Sequence, residues 1–101
     1  MNKRNKKPRS EELYKAILKL ETLEECQHFF DDLCTVTELR ALEQRYQVAT
    51  YLSKGMIYNE ILEKTGASSA TISRVNRSLN NGSNGYHVVF ERLGQEKGEE
   101  E

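Results

Sequence analysis

Three observations predict an all-α fold for this chain. Apolar residues recur every three or four positions along most of its length, the period of a helix with one buried face. Most of these runs follow a Ser or Thr able to cap a helix. Alternation of apolar and polar residues never exceeds three or four positions outside Tyr86–Phe90. That segment follows the break Asn80-Asn-Gly-Ser-Asn-Gly85 and reads as a short helix.

The elements follow in order. Ser10 caps a first helix whose opening turn carries Glu11 and Glu12, favourable at the positive end of the dipole. Leu13, Ile17 and Leu20 form its apolar side. Thr22-Leu-Glu-Glu25 is a capping box opening a second helix, with Leu23, Cys26, Phe30, Leu33 and Cys34 on one face. Thr35-Val-Thr-Glu38 is another. The third helix turns Leu39, Leu42, Tyr46, Ala49 and Leu52 inward and stops at Gly55, a natural residue past a helix end.

With 101 residues, 37% hydrophobic and 31% charged, the chain makes one small domain with a thin core. Residues 1–9 read as a flexible basic arm and 94–101 as a disordered acidic tail. The domain then spans 10–93, and its thin core argues for completion by a second copy. No apolar run approaches the roughly 20 residues of a membrane span, and the basic N-terminus lacks the apolar core of a signal peptide. With a mean hydropathy of −0.76, the expectation is a cytoplasmic protein without a membrane partner. Cys26 and Cys34 stand eight residues apart, about 12 Å along a helix and too far for a disulfide within it. Together with His28 they lack a fourth ligand at zinc spacing, so buried reduced thiols are expected and no metal. His28 and His87 are isolated, and Tyr46, Tyr51, Tyr58 and Tyr86 read as core or interface material. Without a Gly-rich phosphate loop, paired-carboxylate motif or nucleophile elbow, the chain is not expected to be an enzyme.

The net charge of −1 conceals a pattern. The first ten residues carry Lys3, Arg4, Lys6, Lys7 and Arg9 with no acid, residues 11–37 sum to −5, residues 38–81 to +2 and the rest to −3. A nucleic-acid footprint is local, so a neutral total does not exclude one. The arm either adds phosphate affinity or is a solvated tail.

The segment richest in information is Tyr58–Leu79. A short helix with Ile57, Ile61 and Leu62 leads to a turn at Gly66, and Ser68 caps a second helix. Gly accepts the positive φ that such a corner needs. Small Ala67 and Ala70 permit close approach of the helices, and Ile72, six residues past Gly66, points into the wedge between them. These constraints together describe a helix-turn-helix. The second helix offers Ser68, Ser69, Ala70, Thr71, Ser73, Arg74 and Arg77, with no acid between Ser68 and Arg77. Hydroxyls and methyls near the start of such a helix suit base edges, and later arginines suit phosphates. A helical hairpin with a polar face is the alternative, but Ser-Ser-Ala-Thr is poor helix-forming material for one. Ala67, Ser68, Ser69, Ala70 and Ser73 are therefore expected at bases, and Arg74, Arg77, Lys54 and Lys64 at phosphates.

Ala41-Leu42, Arg45, Gly55, Gly66-Ala67, Ala70-Thr71-Ile72, Ser73-Arg74 and Ser78-Leu79 resemble the Trp repressor superfamily. More narrowly they resemble the YerC/YecD-type TrpR-related proteins of low-GC Gram-positive bacteria. The match runs from about Leu33 to Leu79, and the order of about six helices extends it. The resemblance implies an intertwined homodimer with one reading head per subunit, set about one DNA turn apart on a palindromic operator. It also implies a ligand site: Arg45 and Arg74 match the arginines that sandwich an indole, Ser78 a neighbouring polar position, and Thr35 the place where carbonyls receive an amino group. Two departures stand against tryptophan as a cofactor. Val75 occupies the position after Arg74 where tryptophan-binding members carry Gly, and its branched side chain fills the indole slot. Between Gly55 and Gly66 the chain is one residue shorter, with Asn59 in place of a basic phosphate contact. Without a ligand, Arg45 would pair with Glu43 or Glu25, and Arg74 would hold a phosphate.

The expected function is a sequence-specific DNA-binding transcriptional regulator, a repressor, whose partners are double-stranded DNA and a second copy of the chain. The rivals are a repressor gated by tryptophan or another small ligand and a protein-interaction module of the transcription machinery.

Overall fold

The computed structural model describes residues 9–100. Among them are six helices: α1 (Glu11–Ile17), α2 (Leu23–Leu33), α3 (Val36–Ser53), α4 (Tyr58–Thr65), α5 (Ser69–Asn81) and α6 (Gly85–Glu100). They form two compact units, one ending at Leu39 and one beginning at Arg40. The expected basic arm lies outside the described residues except for Arg9, which is exposed. Among the described residues no helix is long and apolar enough to cross a membrane.

In the first unit the caps form as local chemistry dictates. The Glu12 amide donates to Ser10 Oγ at 3.3 Å. At α2 the Glu25 amide donates to Thr22 Oγ1 (3.0 Å) while the Glu25 carboxylate accepts from the Glu21 amide (2.9 Å). At α3 the Glu38 amide donates to Thr35 Oγ1 (3.1 Å) and its carboxylate accepts from the Thr35 amide (2.9 Å). These bonds satisfy amide donors that a helix start leaves unpaired. α1 ends at Ile17, so Leu20 lies beyond it, and Cys34 caps α2 in extended conformation instead of continuing it. Both cysteines are free and only half-buried, not fully buried as expected. Neither α1 nor α2 has a buried residue, and Leu18 and Leu23 are 82% and 76% exposed.

The second unit has a core of Val48, Ala49, Ile61, Ala67, Ile72, Val75 and Leu79, bordered by Tyr51, Leu52, Met56, Tyr86 and Phe90. The buried face of α3 centres on Val48 and Ala49, while Leu42 and Tyr46, expected inward, are 40% exposed each. Apolar residues lie on more than one side of α3, so spacing alone does not select the face that packs. On α4 Ile61 is fully buried, whereas Ile57 and Leu62 are exposed. Tyr86–Phe90 is the start of a helix far longer than predicted. α6 runs past Leu93 to Glu100 and takes in most of the segment whose composition predicts a disordered tail. Tyr46, Tyr86 and Phe90 form an aromatic rim, with centroids 5.8 Å apart for Tyr46–Phe90 and 6.0 Å for Tyr86–Phe90.

Candidate nucleic-acid interface

The corner between α4 and α5 is built from residues on both sides of Gly66. Gly66 takes φ +73°, and its amide donates to the Leu62 carbonyl at 2.9 Å, ending α4 in a left-handed cap. Thr65 pins the next bond. Its hydroxyl donates to the Ile61 carbonyl (2.7 Å) and accepts from the Ala67 amide (3.1 Å). Gln44 of α3 reaches over to donate from Nε2 to the Thr65 carbonyl at 3.1 Å. Sequence reading missed both residues. A Thr just before a helix-ending Gly was a usable local signal, but nothing in the sequence links Gln44 to a residue 21 positions away.

Ser68 then caps α5. Its Oγ accepts from the Thr71 amide and donates to Thr71 Oγ1, both at 3.1 Å. Ile72, Val75 and Leu79, three and four residues apart, turn into the core. Ala70, Ser73, Arg74 and Arg77 form the opposite stripe, with Ser69 beside its start, and all five are exposed. At about 1.5 Å per residue, α5 presents a face roughly 20 Å long. Its first turn carries no acid to compensate the positive end of the dipole, and its charged residues are Arg74 and Arg77 alone. Lys54, in the turn after α3, and Lys64, in the last turn of α4, are also exposed. The carboxylates of α4, Glu60 and Glu63, are exposed as well. This surface is cationic along α5 and mixed in charge along α4.

Two expected base contacts, Ala67 and Ser68, and one residue expected on the outward face, Thr71, need correction. Ala67 is 2% exposed and packs in the core, because the left-handed Gly66 turns the next residue inward. It cannot approach a base. Thr71 is half-buried, and its amide and hydroxyl both serve the cap. Ser68 is exposed, yet its hydroxyl proton is committed to Thr71. The side chains left to face a ligand are Ser69, Ala70 and Ser73, with the two arginines beyond them.

The residues matched to a ligand site are spread differently. Arg45 is half-buried; Arg74 and Ser78 are exposed. Among the described residues the ion pair is Lys15 with Glu11 at 3.3 Å, so Arg45 is not paired with Glu43, its neighbour on α3. Val75 is 2% exposed among the core residues. Thr35 belongs to the first unit, where its hydroxyl caps α3 and its carbonyl accepts from the Leu39 amide at 2.9 Å.

Comparison with known proteins agrees with this architecture. The family model for the Trp repressor protein matches residues 9–94. An uncharacterized protein of Bacillus subtilis (strain 168), YerC, is 49% identical over 83 residues, covering 82% of this chain and 80% of the relative. A crystal structure of a TrpR-like protein from Eubacterium eligens superposes with a TM-score of 0.81 at 57% identity, covering 83% of this chain and 87% of that one. A candidate Trp repressor from Staphylococcus aureus gives 0.80 at 51% identity, covering 83% and 84%. With the family model matching residues 9–94 and a relative 49% identical over 83 residues, the protein belongs to the Trp repressor family.

Proposed function

We propose that the protein is a sequence-specific DNA-binding transcriptional regulator, a repressor that acts in the cytoplasm as an intertwined homodimer. The observation that carries this reading is the two-sided construction of α5. Ile72, Val75 and Leu79 anchor it, while Ser69, Ala70, Ser73, Arg74 and Arg77 stand exposed on a helix without an acid. A helix held this firmly can enter a major groove as a unit, with small side chains at base edges and guanidiniums at phosphates. The dimer is supported by the apolar side chains that α1 and α2 leave uncovered, Leu18 and Leu23 foremost.

Selection of bound duplexes from a random pool tests the whole reading. The expected winners carry a two-fold repeat with half-sites about one helical turn apart. Enrichment without a repeat overturns the dimer, and no enrichment at low salt leaves the protein-interaction reading in its place. Arg77→Ala should weaken binding almost uniformly across sequences and reduce the salt slope by about one. An unchanged slope in salt titrations removes Arg77 from the phosphate contacts.

Tryptophan is not its effector under this proposal: the resemblance puts Val75 at the position where tryptophan-binding members carry Gly, and the side chain is packed in the core. Calorimetry should detect no tryptophan binding to the natural chain and a gain of binding in Val75→Gly. The substitution costs stability, about 3 kcal/mol from lost packing and helix propensity, so circular dichroism must show a folded variant, with Val75→Ala as the milder companion. Binding by the natural chain restores the ligand-gated reading.

A further inference from the structure

The connection between α5 and α6 contains two Asn-Gly pairs, Asn81-Gly82 and Asn84-Gly85. Side by side in sequence and both exposed, they are alike in composition but not in backbone environment. Asn81 is the last residue of α5, and the Gly82 amide donates to the Ser78 carbonyl at 3.0 Å. Gly82 is pressed against that turn so closely that an added Cβ would collide with the Ser78 carbonyl oxygen. Asn84 instead has φ +71°, the one positive φ outside glycine among the described residues. Gly85 begins α6 with open space around it, nothing lying within 4 Å of an added Cβ. As the first residue of a helix its amide has no carbonyl partner in the preceding turn, and none accepts from it among the described residues.

We propose that Asn84 is a site of spontaneous deamidation through a succinimide, and that Asn81 is protected by the fold. The Gly85 amide nitrogen loses its proton and attacks Cγ of Asn84. A new C–N bond closes the cyclic imide, the bond from Cγ to the side-chain nitrogen breaks, and that nitrogen leaves as ammonia carrying the proton. Water then opens the imide at either carbonyl, yielding aspartate or isoaspartate, with no change of oxidation state. The neutral amide becomes a carboxylate at the entry to α6. In the isoaspartate product the main chain runs through the former side chain. That displaces the Asn84 carbonyl, which accepts from the Val88 amide at 3.2 Å, and disturbs the first turn of α6. From this turn His87 Nε2 donates to the Leu79 carbonyl at 2.8 Å, so the product loosens the tie between the end of α5 and α6.

The experiment incubates the full chain at mildly alkaline pH, folded and in urea, and locates the amide-to-acid mass change by fragment sequencing. In the folded protein Asn84 should convert about tenfold faster than Asn81, because the Gly82 amide must first break its helical bond. In urea the two rates should converge. Gly85→Ala, whose Cβ meets open space, should keep the fold and lose most of the conversion at Asn84. Equal rates in the folded chain, faster conversion at Asn81, or an Asn84 that stays intact when folded while converting in urea each overturn the proposal.

Discussion

Replacing Ile72 with Ala should lower the stability of the second unit by about 2–5 kcal/mol. Ile72 is fully buried between α4 and α5, in a core of seven buried residues. A small domain holds roughly 5–15 kcal/mol in all, so this one cavity removes much of what keeps α5 in place. Ile72→Val, which deletes a single methylene, should cost only about 0.5–1.5 kcal/mol. Urea denaturation followed by circular dichroism measures both. If the Ala variant keeps the midpoint of the natural chain, Ile72 is not the wedge that joins the two helices.

Ala70→Glu should leave the fold intact and remove duplex binding. Ala70 is exposed in the first turn of α5, where a carboxylate is welcome to the helix dipole, so the thermal midpoint should hold or rise slightly. On the proposed DNA-facing stripe, the same carboxylate meets the phosphate field. Like-charge juxtaposition in an interface costs several kcal/mol, which at about 1.4 kcal/mol per factor of ten means a loss on the order of 100-fold or more. Fluorescence anisotropy with a selected duplex, read beside a thermal melt, separates the two effects. Undiminished affinity in a folded variant excludes this stripe from the groove.

These two substitutions lie two residues apart, and the sequence anticipated that Ile72 is buried and Ala70 exposed because both follow from helical period and a local corner. Ser10, Thr22, Thr35 and Ser68 cap the helices assigned to them, and Gly66 adopts the positive φ that the turn demands. Capping bonds join residues two to four positions apart, so the sequence contains every partner. Ala67 shows where that reasoning stops. It is small and adjacent to the reading helix, which suits either a base contact or a tight core, and only the direction of the chain leaving Gly66 distinguishes them.

The amino-acid order alone determined the all-α class, the caps, the hinge at Gly66 and the outward set Ser69, Ala70, Ser73, Arg74 and Arg77, because each depends on interactions within a turn or two of helix. Tertiary packing decided which side of α3 is covered, that Ala67 and Val75 belong to the interior, and that Gln44 holds the Thr65 carbonyl. Those outcomes depend on which helix lies against which, and burial and hydrogen bonding between distant segments leave no periodic trace in the chain.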